Sequence, residues 1–487
     1  MLHEITDFAD PLTLTALGLV LAALATSLTG WLPIPAPALF LGGAAAAAAL
    51  MPSLHDDVTI LSVERIAVVA LIVILFNGGR DIGARRFRAS LGAIGSLGLL
   101  GTFMTAAAMA VAAHVILGLD WAVAGVLGAA IAPTDPAVMF SVLGRREVGG
   151  DSGAILEGEA GINDPAGIAV LLGMVELATH PDKSILIVAR EFGLEMGVGA
   201  VLGYLGGRLI VAMMGRVRLG GSGLYPVLAL GLAMLLYGGT ALVGGSGFFA
   251  VFIAGMLLGD ARLPYAGEVD RFSSSLASLA EVAVFLALGL TIDLAAIPGE
   301  DWLGGAALLV IMALLVRPLV VLVTLARSAL SRNEKTFIAW SGLKGAVPIL
   351  LAAFAVLGEV PDSQRIYDVV FVVVVGSVVI QGGLVPLVAE RLKIPMQLQP
   401  ELPWEMSVKL AEPPRDRVEL AVESGSAADG ERLAELPLGE RAWVTLVVRE
   451  SHAVPPHPDL VLAAGDVVFA LGVADEALLA RAFSGRA

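Results

Sequence analysis

The segment LEGEAGINDPAGIAVLL (156–172) carries four oxygen-bearing polar side chains within eight residues: Glu157, Glu159, Asn163 and Asp164. Glu159 and Asn163 are four residues apart, so they would share one face of a helix. A carboxylate beside a carboxamide in apolar surroundings suits a dehydrated Na⁺ or K⁺, because hard cations take oxygen ligands. Burial disfavours the charged carboxylate, so a proton and a cation can compete for Asp164. Glu157 has an alternative place in a solvated helix start at a cytoplasmic entrance.

The segment AAIAPTDPAVMF (129–140) adds Thr134 and Asp135, which lie between Pro133 and Pro136. Two prolines that close together should break a helix. A broken helix at membrane depth lines a cavity or is buried in protein, and its ends can hold a cation. The alternative is a loop between two shorter spans.

Arg317 lies in the apolar run LLVRPLVVLV (314–323). A buried arginine needs an anionic partner, and we expect that partner to be Glu159. The alternative is an arginine that reaches the membrane surface near the cytoplasmic end.

Lys344 lies in SGLKGAVPILLA (341–352), where two glycines and a proline predict a second broken helix. At such a break Lys344 would neutralise the facing helix ends of the two broken segments. The alternative is an entrance charge that faces the cytoplasm.

These side chains belong to a chain with the composition of a membrane protein. Of its 487 residues, 57% are hydrophobic and 15% are charged, whereas soluble domains average about a quarter charged residues. We therefore predict an all-α polytopic membrane protein of about 13 transmembrane helices. The apolar segments lie near 11–31, 34–52, 58–78, 91–117, 121–143, 155–178, 184–214, 223–242, 246–259, 272–293, 302–326, 336–357 and 365–389.

The loops predict the orientation. Lys and Arg follow the odd-numbered segments, whereas the even-numbered loops are short and acidic or neutral. Because cytoplasmic loops are rich in Lys and Arg, we expect the N-terminus outside and the C-terminus in the cytoplasm of a cell that carries the protein in its inner or plasma membrane. The acidic start MLHEITDFAD does not resemble a cleavable signal peptide.

The two interrupted segments, the fifth and the twelfth, are seven apart. An odd offset inverts topology, so segments 1–6 and 8–13 are predicted inverted repeats. Paired interrupted segments in two halves indicate a transporter's binding site.

A composition change after Lys393 divides the chain into 1–395 in the membrane, a Pro-rich linker at 396–416 and a small cytoplasmic α/β domain at 417–487. Within that domain, 417–422, 443–448 and 467–471 are predicted strands. Residues 431–436 and 475–483 have short helical patterns.

Other classes of protein fit poorly. The chain has no cysteine and six scattered histidines, which predicts neither disulfides nor a metal cluster. Its net charge of −15, without a basic tract, gives no support for nucleic-acid binding. No GxSxG, HExxH or P-loop motif indicates an enzyme. A ligand-gated cation channel remains an alternative, although no TVGYG-like filter is present.

Residues 10–395 resemble the NhaP-like cation:proton antiporters, relatives of the animal sodium/proton exchangers. The resemblance rests on PTDPAV (133–138), EGEAGINDPAG (157–167), VRPL (316–319) and GLKGAVP (342–348). It implies a homodimer with a mobile core, elevator-like alternating access and electroneutral exchange.

Carried over by motif position, the resemblance makes Asp164 the carboxylate shared by cation and proton. Thr134 would add an oxygen ligand, which places the monovalent cation at Asp164 and Thr134. Asp135, Asn163 and Glu159 would shape the site, with Glu159 paired to Arg317.

Two residues depart from the family pattern. Ala160 stands where many relatives have Ser, which removes one oxygen ligand, and Lys344 stands where many have Arg. Lysine lacks the rigid fork of arginine, so these changes bear on ion selectivity and pH dependence.

The C-terminal domain resembles the C-terminal half of the regulatory RCK domains of potassium channels and transporters (RCK-C, or TrkA-C). The resemblance rests on the strand order, ERLAEL and AAGDVVFALG (463–472). Similar isolated domains bind small-molecule regulators, cyclic di-AMP among them, at a dimer interface. Because NhaP-like proteins with this domain are often potassium/proton antiporters, the resemblance favours K⁺ over Na⁺, with Na⁺ left open and no further cofactor expected.

Overall fold

The computed structural model describes residues 2–28, 35–51, 59–143, 146–149, 151–180, 183–261, 263–398, 418–436, 443–449, 452–471 and 482–484. The chain divides into two compact units, of which the first holds residues up to 398 except 263–266 and the second holds the remainder. Each unit is described by itself.

The first unit is helical, as predicted. Its helices are α1 (Leu2–Leu28), α2 (Ala36–Leu50), α3 (Ile60–Ala89), α4 (Leu91–Leu117), α5 (Trp121–Ile131), α6 (Pro136–Leu143), α7 (Asp151–Thr179), α8 (Ile185–Arg216), α9 (Leu224–Leu242), α10 (Gly247–Gly259), α11 (Ala266–Leu290), α12 (Gly299–Thr324), α13 (Arg332–Trp340), α14 (Ala346–Leu357), α15 (Ser363–Gly382) and α16 (Val385–Arg391).

Among the described residues, eight helices are long and apolar enough to cross a membrane, and five shorter apolar helical stretches accompany them. Each predicted apolar segment coincides with one helix or with two consecutive helices. The chain is therefore a multi-pass membrane protein, as the apolar segments predicted.

The fifth and twelfth segments are broken. The fifth consists of α5 and α6, separated by residues 132–135, and the twelfth consists of α13 and α14, separated by residues 341–345. The eight residues of α6 extend only about 12 Å, far less than the ~30 Å of a bilayer core. The two halves of the fifth segment are thus one interrupted crossing and not two spans.

Small residues allow the helices of this unit to approach closely. The α carbon of Gly79 on α3 faces the carbonyl of Phe252 on α10, and Gly255 on α10 faces the carbonyl of Phe76. A Cβ at either glycine would overlap the opposite backbone, so α3 and α10 are packed backbone to backbone.

A short antiparallel pair joins the loop after α6 to the end of the unit. Strand β1 (Arg146–Val148) pairs with β2 (Met396–Leu398), with Glu147 opposite Gln397. The sequence analysis assigned 396–398 to the linker, and in the structure these three residues form β2. This pairing could not be predicted from local composition, because the partner strand is some 250 positions away.

The second unit contains a four-stranded antiparallel sheet in the order β3 (Val418–Ala421), β6 (Val467–Leu471), β4 (Trp443–Arg449), β5 (His452–Val454). The predicted α/β domain thus has its three expected strands. Val447, Leu462, Val468 and Ala470 form the centre of its core.

The predicted helix at 431–436 is wrong, since only a 3₁₀ turn forms at Leu433–Glu435. The backbone there bonds to another segment instead of to itself: the Leu433 N–H donates to the Leu460 carbonyl, and the Leu462 N–H donates to the Glu431 carbonyl. The predicted helix at 475–483 lies almost entirely outside the described residues.

Candidate functional site

The two broken crossings meet at their breaks. The Asp135 N–H donates to the Leu343 carbonyl at 2.8 Å. An N–H group at the break of one helix thus forms its hydrogen bond with a carbonyl group at the break of the other. Gly345 stands where a Cβ would overlap the Asp135 carboxylate. Glycine at this position therefore permits the close crossing.

Lys344 is buried at this crossing, with 1% of its surface exposed. Its ammonium Nζ donates to the carbonyls of Ala132 and Pro133, both at 2.9 Å. These carbonyls follow α5, whose C-terminal end carries the negative end of the helix dipole. Lys344 therefore neutralises that helix end, and it does not lie at an entrance.

Three side chains named from the sequence come together beside the break. The Asn163 Nδ2 donates to the Thr134 hydroxyl at 2.7 Å. Asn163, Asp164 and Thr134 are all buried. Within the described residues, Asn163 Oδ1 and Asp164 Oδ1 are buried without a hydrogen-bond partner. Since native proteins rarely leave buried polar oxygens unpaired, these two oxygens point to a ligand that supplies positive charge or a proton.

Glu159 and Arg317 form a separate buried pair. The Arg317 guanidinium donates from its two terminal nitrogens to the two Glu159 oxygens at 2.5 and 2.7 Å. Both side chains are at most 4% exposed, so Arg317 does not extend to the membrane surface. Gly342 leaves room for the guanidinium, because a Cβ there would overlap it.

A cavity of about 340 Å³ opens onto the site. Its acidic lining residues are Asp81, Asp135, Glu157, Asp164 and Glu281. Glu157 is partly exposed to this cavity, which accords with the entrance position considered for it. Ala160 also lines the cavity, at the position where many relatives have Ser.

Sequence reasoning missed Asp81 and Glu281. Asp81 was treated as part of a loop, because the apolar segment ends near residue 78, but α3 continues to Ala89. Asn77 donates to Asp81 at 2.8 Å, one turn apart. Glu281 could have been found, since it is the only acid within the apolar segment 272–293 apart from Asp293 at the last position.

A polar layer on α15 was missed as well. The Lys344 N–H donates to the Ser377 hydroxyl at 3.0 Å, and that hydroxyl donates to Gln381 at 3.1 Å. Ser377 and Gln381 lie in a π-helical turn, Ser377–Gly382. Such turns often occur at functional sites, but their hydrogen-bond pattern cannot be read from local sequence.

Comparison with known protein families identifies the family of the chain. The sodium/hydrogen exchanger transmembrane family matches residues 12–391, most of the chain. The chain belongs to the sodium/hydrogen exchanger family. A TrkA-C domain matches residues 417–485. The resemblances seen in the sequence are thereby confirmed for both parts of this family member, and the family is one of transporters.

Several relatives of this exchanger-family chain are named antiporters. The K(+)/H(+) antiporter NhaP of Alkalimonas amylolytica is 35% identical over 337 residues, covering 68% of this chain and 57% of that protein. The K(+)/H(+) antiporter NhaP2 of Shewanella sp. strain ANA-3 is 30% identical, covering 83% and 71%. The Na(+)/H(+) antiporter ApNhaP of Aphanothece halophytica is 27% identical, covering 68% and 65%.

Among solved structures, the sodium proton antiporter MjNhaP1 of Methanocaldococcus jannaschii is similar with a TM-score of 0.68 and 24% identity, covering 77% of this chain and 99% of that one. This likeness confirms the predicted fold of the membrane part. The chain spans little more than half the length of the Alkalimonas relative. The activity of that longer protein is therefore not assigned to this chain by the similarity alone.

Proposed function

We propose that this protein is a secondary antiporter that exchanges K⁺ for H⁺ by alternating access, with both ions competing for Asp164. One observation carries the proposal: Asp164 and Asn163 each present a buried oxygen that has no hydrogen-bond partner among the described residues, beside the crossing of two broken helices. Thr134 adds its hydroxyl, and Asp135 adds a carboxylate close by.

The chemistry follows from the cost of a buried charge. An ionised carboxylate in this setting needs a positive charge beside it. A proton or a dehydrated monovalent cation can supply that charge, but each removes the need for the other. Binding of one ion therefore releases the other, which is the requirement for one-for-one exchange.

Lys344 and the Glu159–Arg317 pair complete the electrostatics. Lys344 stabilises the end of α5, and Glu159 satisfies Arg317. Neither charge needs to leave its partner during exchange, so these groups hold the site while Asp164 changes its ligand.

K⁺ is our preferred substrate over Na⁺. The two relatives of 35% and 30% identity are named K⁺/H⁺ antiporters, whereas the relative of 27% identity is named for Na⁺. The TrkA-C domain also favours K⁺, through the association stated above. A Na⁺-selective antiporter is the alternative.

We also propose a homodimer in the cell membrane, with the N-terminus outside and the C-terminus in the cytoplasm. The distribution of basic loops supports the orientation, and the family resemblance supports the dimer. The C-terminal unit would bind a small-molecule regulator such as cyclic di-AMP and bias the exchanger toward one state, which requires that the regulator prefer that state.

The deciding experiment measures proton flux in proteoliposomes on addition of KCl or NaCl. The natural chain should move protons in response to KCl more than to NaCl, and Asp164→Asn should move none. Glu300→Gln, at an exposed acid in the first turn of α12, should behave like the natural chain. Cation currents without coupled proton movement would overturn antiport in favour of a channel.

Regulation has its own test. Deletion of residues 400–487 should change the pH profile or the response to cyclic di-AMP while leaving exchange intact. If the truncated protein responds as the full chain does, the regulatory role is wrong.

A further inference from the structure

Glu281 is an acid that the exchange mechanism above does not use. It lies in α11 within an apolar stretch and is half-buried. Its side chain lines the same cavity as Asp135 and Asp164. An ionisable group at such a depth is costly, and it calls for a functional explanation.

The helix that carries Glu281 is held at both ends by other helices. Near its start, Arg80 of α3 donates to the Val269 carbonyl at 3.2 Å and forms an ion pair with Asp270. Near its end, Gly289 packs against α2, where a Cβ would overlap the Leu41 carbonyl. These contacts fix the middle of α11, and thus Glu281, as one wall of the cavity.

Among the described residues that line the cavity with Glu281, every charged side chain is acidic. The polar and titratable residues that line it are Asn77 and Asp81 from α3, Asp135 from the break, Glu157 and Asp164 from α7, and Ser274 and Ser278 from α11 itself. The lining from α10 and α14 is apolar. Within the described residues, the cavity lining contains no Lys or Arg, and Glu281 makes no hydrogen bond or ion pair there.

A carboxylate that faces other carboxylates without a counter-ion is stable only when it is protonated or has a cation beside it. Asp164, whose buried Oδ1 has no hydrogen-bond partner in the described part of the chain, lines the same cavity. Asp81 lies in the last third of α3, close to Arg85 and Arg86, which the loop charges place toward the cytoplasm. Asp164, Glu281 and Asp81 all line this one cavity, so in the proposed orientation a proton that leaves Asp164 for the cytoplasm would share this cavity with Glu281.

We propose that Glu281 is a proton-relay carboxylate that accepts the proton released by Asp164 when K⁺ binds and passes it to water at the cytoplasmic end of the cavity. This inference rests on the proposed function. In the step, the O–H bond of the Asp164 carboxyl breaks and an O–H bond forms on Glu281, through cavity water. The cation replaces the proton at Asp164, so the one-for-one stoichiometry is unchanged.

The transport test compares Glu281→Gln and Glu281→Asp with the natural chain in proteoliposomes over a range of pH. A relay role predicts that Glu281→Gln lowers the maximal exchange rate about tenfold or more and flattens its pH dependence, while the KM for K⁺ changes little. Glu281→Asp should restore most of the rate. Ser275→Ala, at an exposed position on the same helix, should match the natural chain.

Two transport outcomes would overturn the relay. An unchanged rate and pH profile in Glu281→Gln would mean that Glu281 has no part in exchange. A large rise in the KM for K⁺ with an unchanged maximal rate would make Glu281 a cation ligand instead.

A second measurement separates this inference from the proposed function. Dicyclohexylcarbodiimide reacts with protonated carboxyl groups in apolar surroundings, and mass spectrometry of peptides locates the adduct. Glu281 should be labelled in the natural chain and in Asp164→Asn, with labelling that falls as pH rises. If the natural chain shows no cation-dependent proton flux, the proposed function fails, and absence of Glu281 labelling at every pH would overturn the relay independently.

Discussion

Glu159 and Asp164 are two carboxylates five residues apart on α7, and their surroundings differ completely. Glu159 accepts two hydrogen bonds from Arg317. Asp164 faces a cavity and has an oxygen without a partner among the described residues. Both are buried, so burial alone does not distinguish them. What distinguishes them is whether the protein itself supplies the positive charge.

This difference gives Glu159 and Asp164 different roles. Arginine stays protonated under all ordinary conditions, so Glu159 has a permanent counter-ion and contributes a fixed part of the structure. Asp164 has no hydrogen-bonded cationic side chain among the described residues, although the charge of Lys344 acts on it through space. In the proposed mechanism its free oxygen takes a proton or a cation from solution, so one helix would carry both a structural and an exchangeable carboxylate.

The largest expected effect is at Asp164. Asp164→Asn should abolish cation-dependent proton flux, because the amide can neither release a proton nor neutralise a cation. Its thermal unfolding midpoint in detergent should equal or exceed that of the natural chain, since a costly buried carboxylate is replaced by a neutral amide. Lost flux together with a much lower midpoint would mean that Asp164 is also structural. The distinction drawn between Asp164 and Glu159 would then be wrong.

The opposite result is expected at Glu159. Glu159→Gln leaves Arg317 buried without an anion, which should cost about 3–5 kcal/mol of stability and lower the unfolding midpoint and the yield. Glu159→Gln combined with Arg317→Met removes both charges and should recover much of that stability. If the double variant is no more stable than the single one, the pair is not the source of the loss.

A smaller effect is expected at the crossing that positions Asp135. Gly345→Ala would place a methyl group against the Asp135 carboxylate, so it should reduce exchange several-fold by shifting the break. Gly299→Ala, where nothing lies near the α carbon, is the matched control. Equal fluxes in the two variants would show that the crossing tolerates displacement.

The smallest effect concerns the β1–β2 pair, which holds the loop leading into α7. Deletion of 399–487 keeps β2, whereas deletion of 396–487 removes it. We expect the longer deletion to have the lower unfolding midpoint, because β1 then loses its partner. Identical midpoints would mean that β2 contributes nothing to the position of α7 and its two carboxylates.

The residues proposed for ion exchange could be named from the sequence because ionisable side chains are rare within membrane-spanning segments. Asp135, Asp164, Arg317 and Lys344 interrupt apolar runs, and an ionisable group in such a run is rare. The breaks could be predicted as well, since proline and glycine act on the local backbone. Asp81 was missed because it lies just past the end of an apolar run and so interrupts none. Its helix nevertheless continues beyond that run to Ala89.

The sequence by itself determined the number of apolar segments, the position of both breaks and the residue types available for exchange, because these depend on local composition and local backbone chemistry. Only the tertiary structure decided which carboxylate is paired and which faces the cavity. Glu159 and Arg317 are 158 residues apart, and Lys344 is 212 and 211 residues from the two carbonyls to which it donates. Such pairings depend on how helices pack in three dimensions, and no local pattern encodes them.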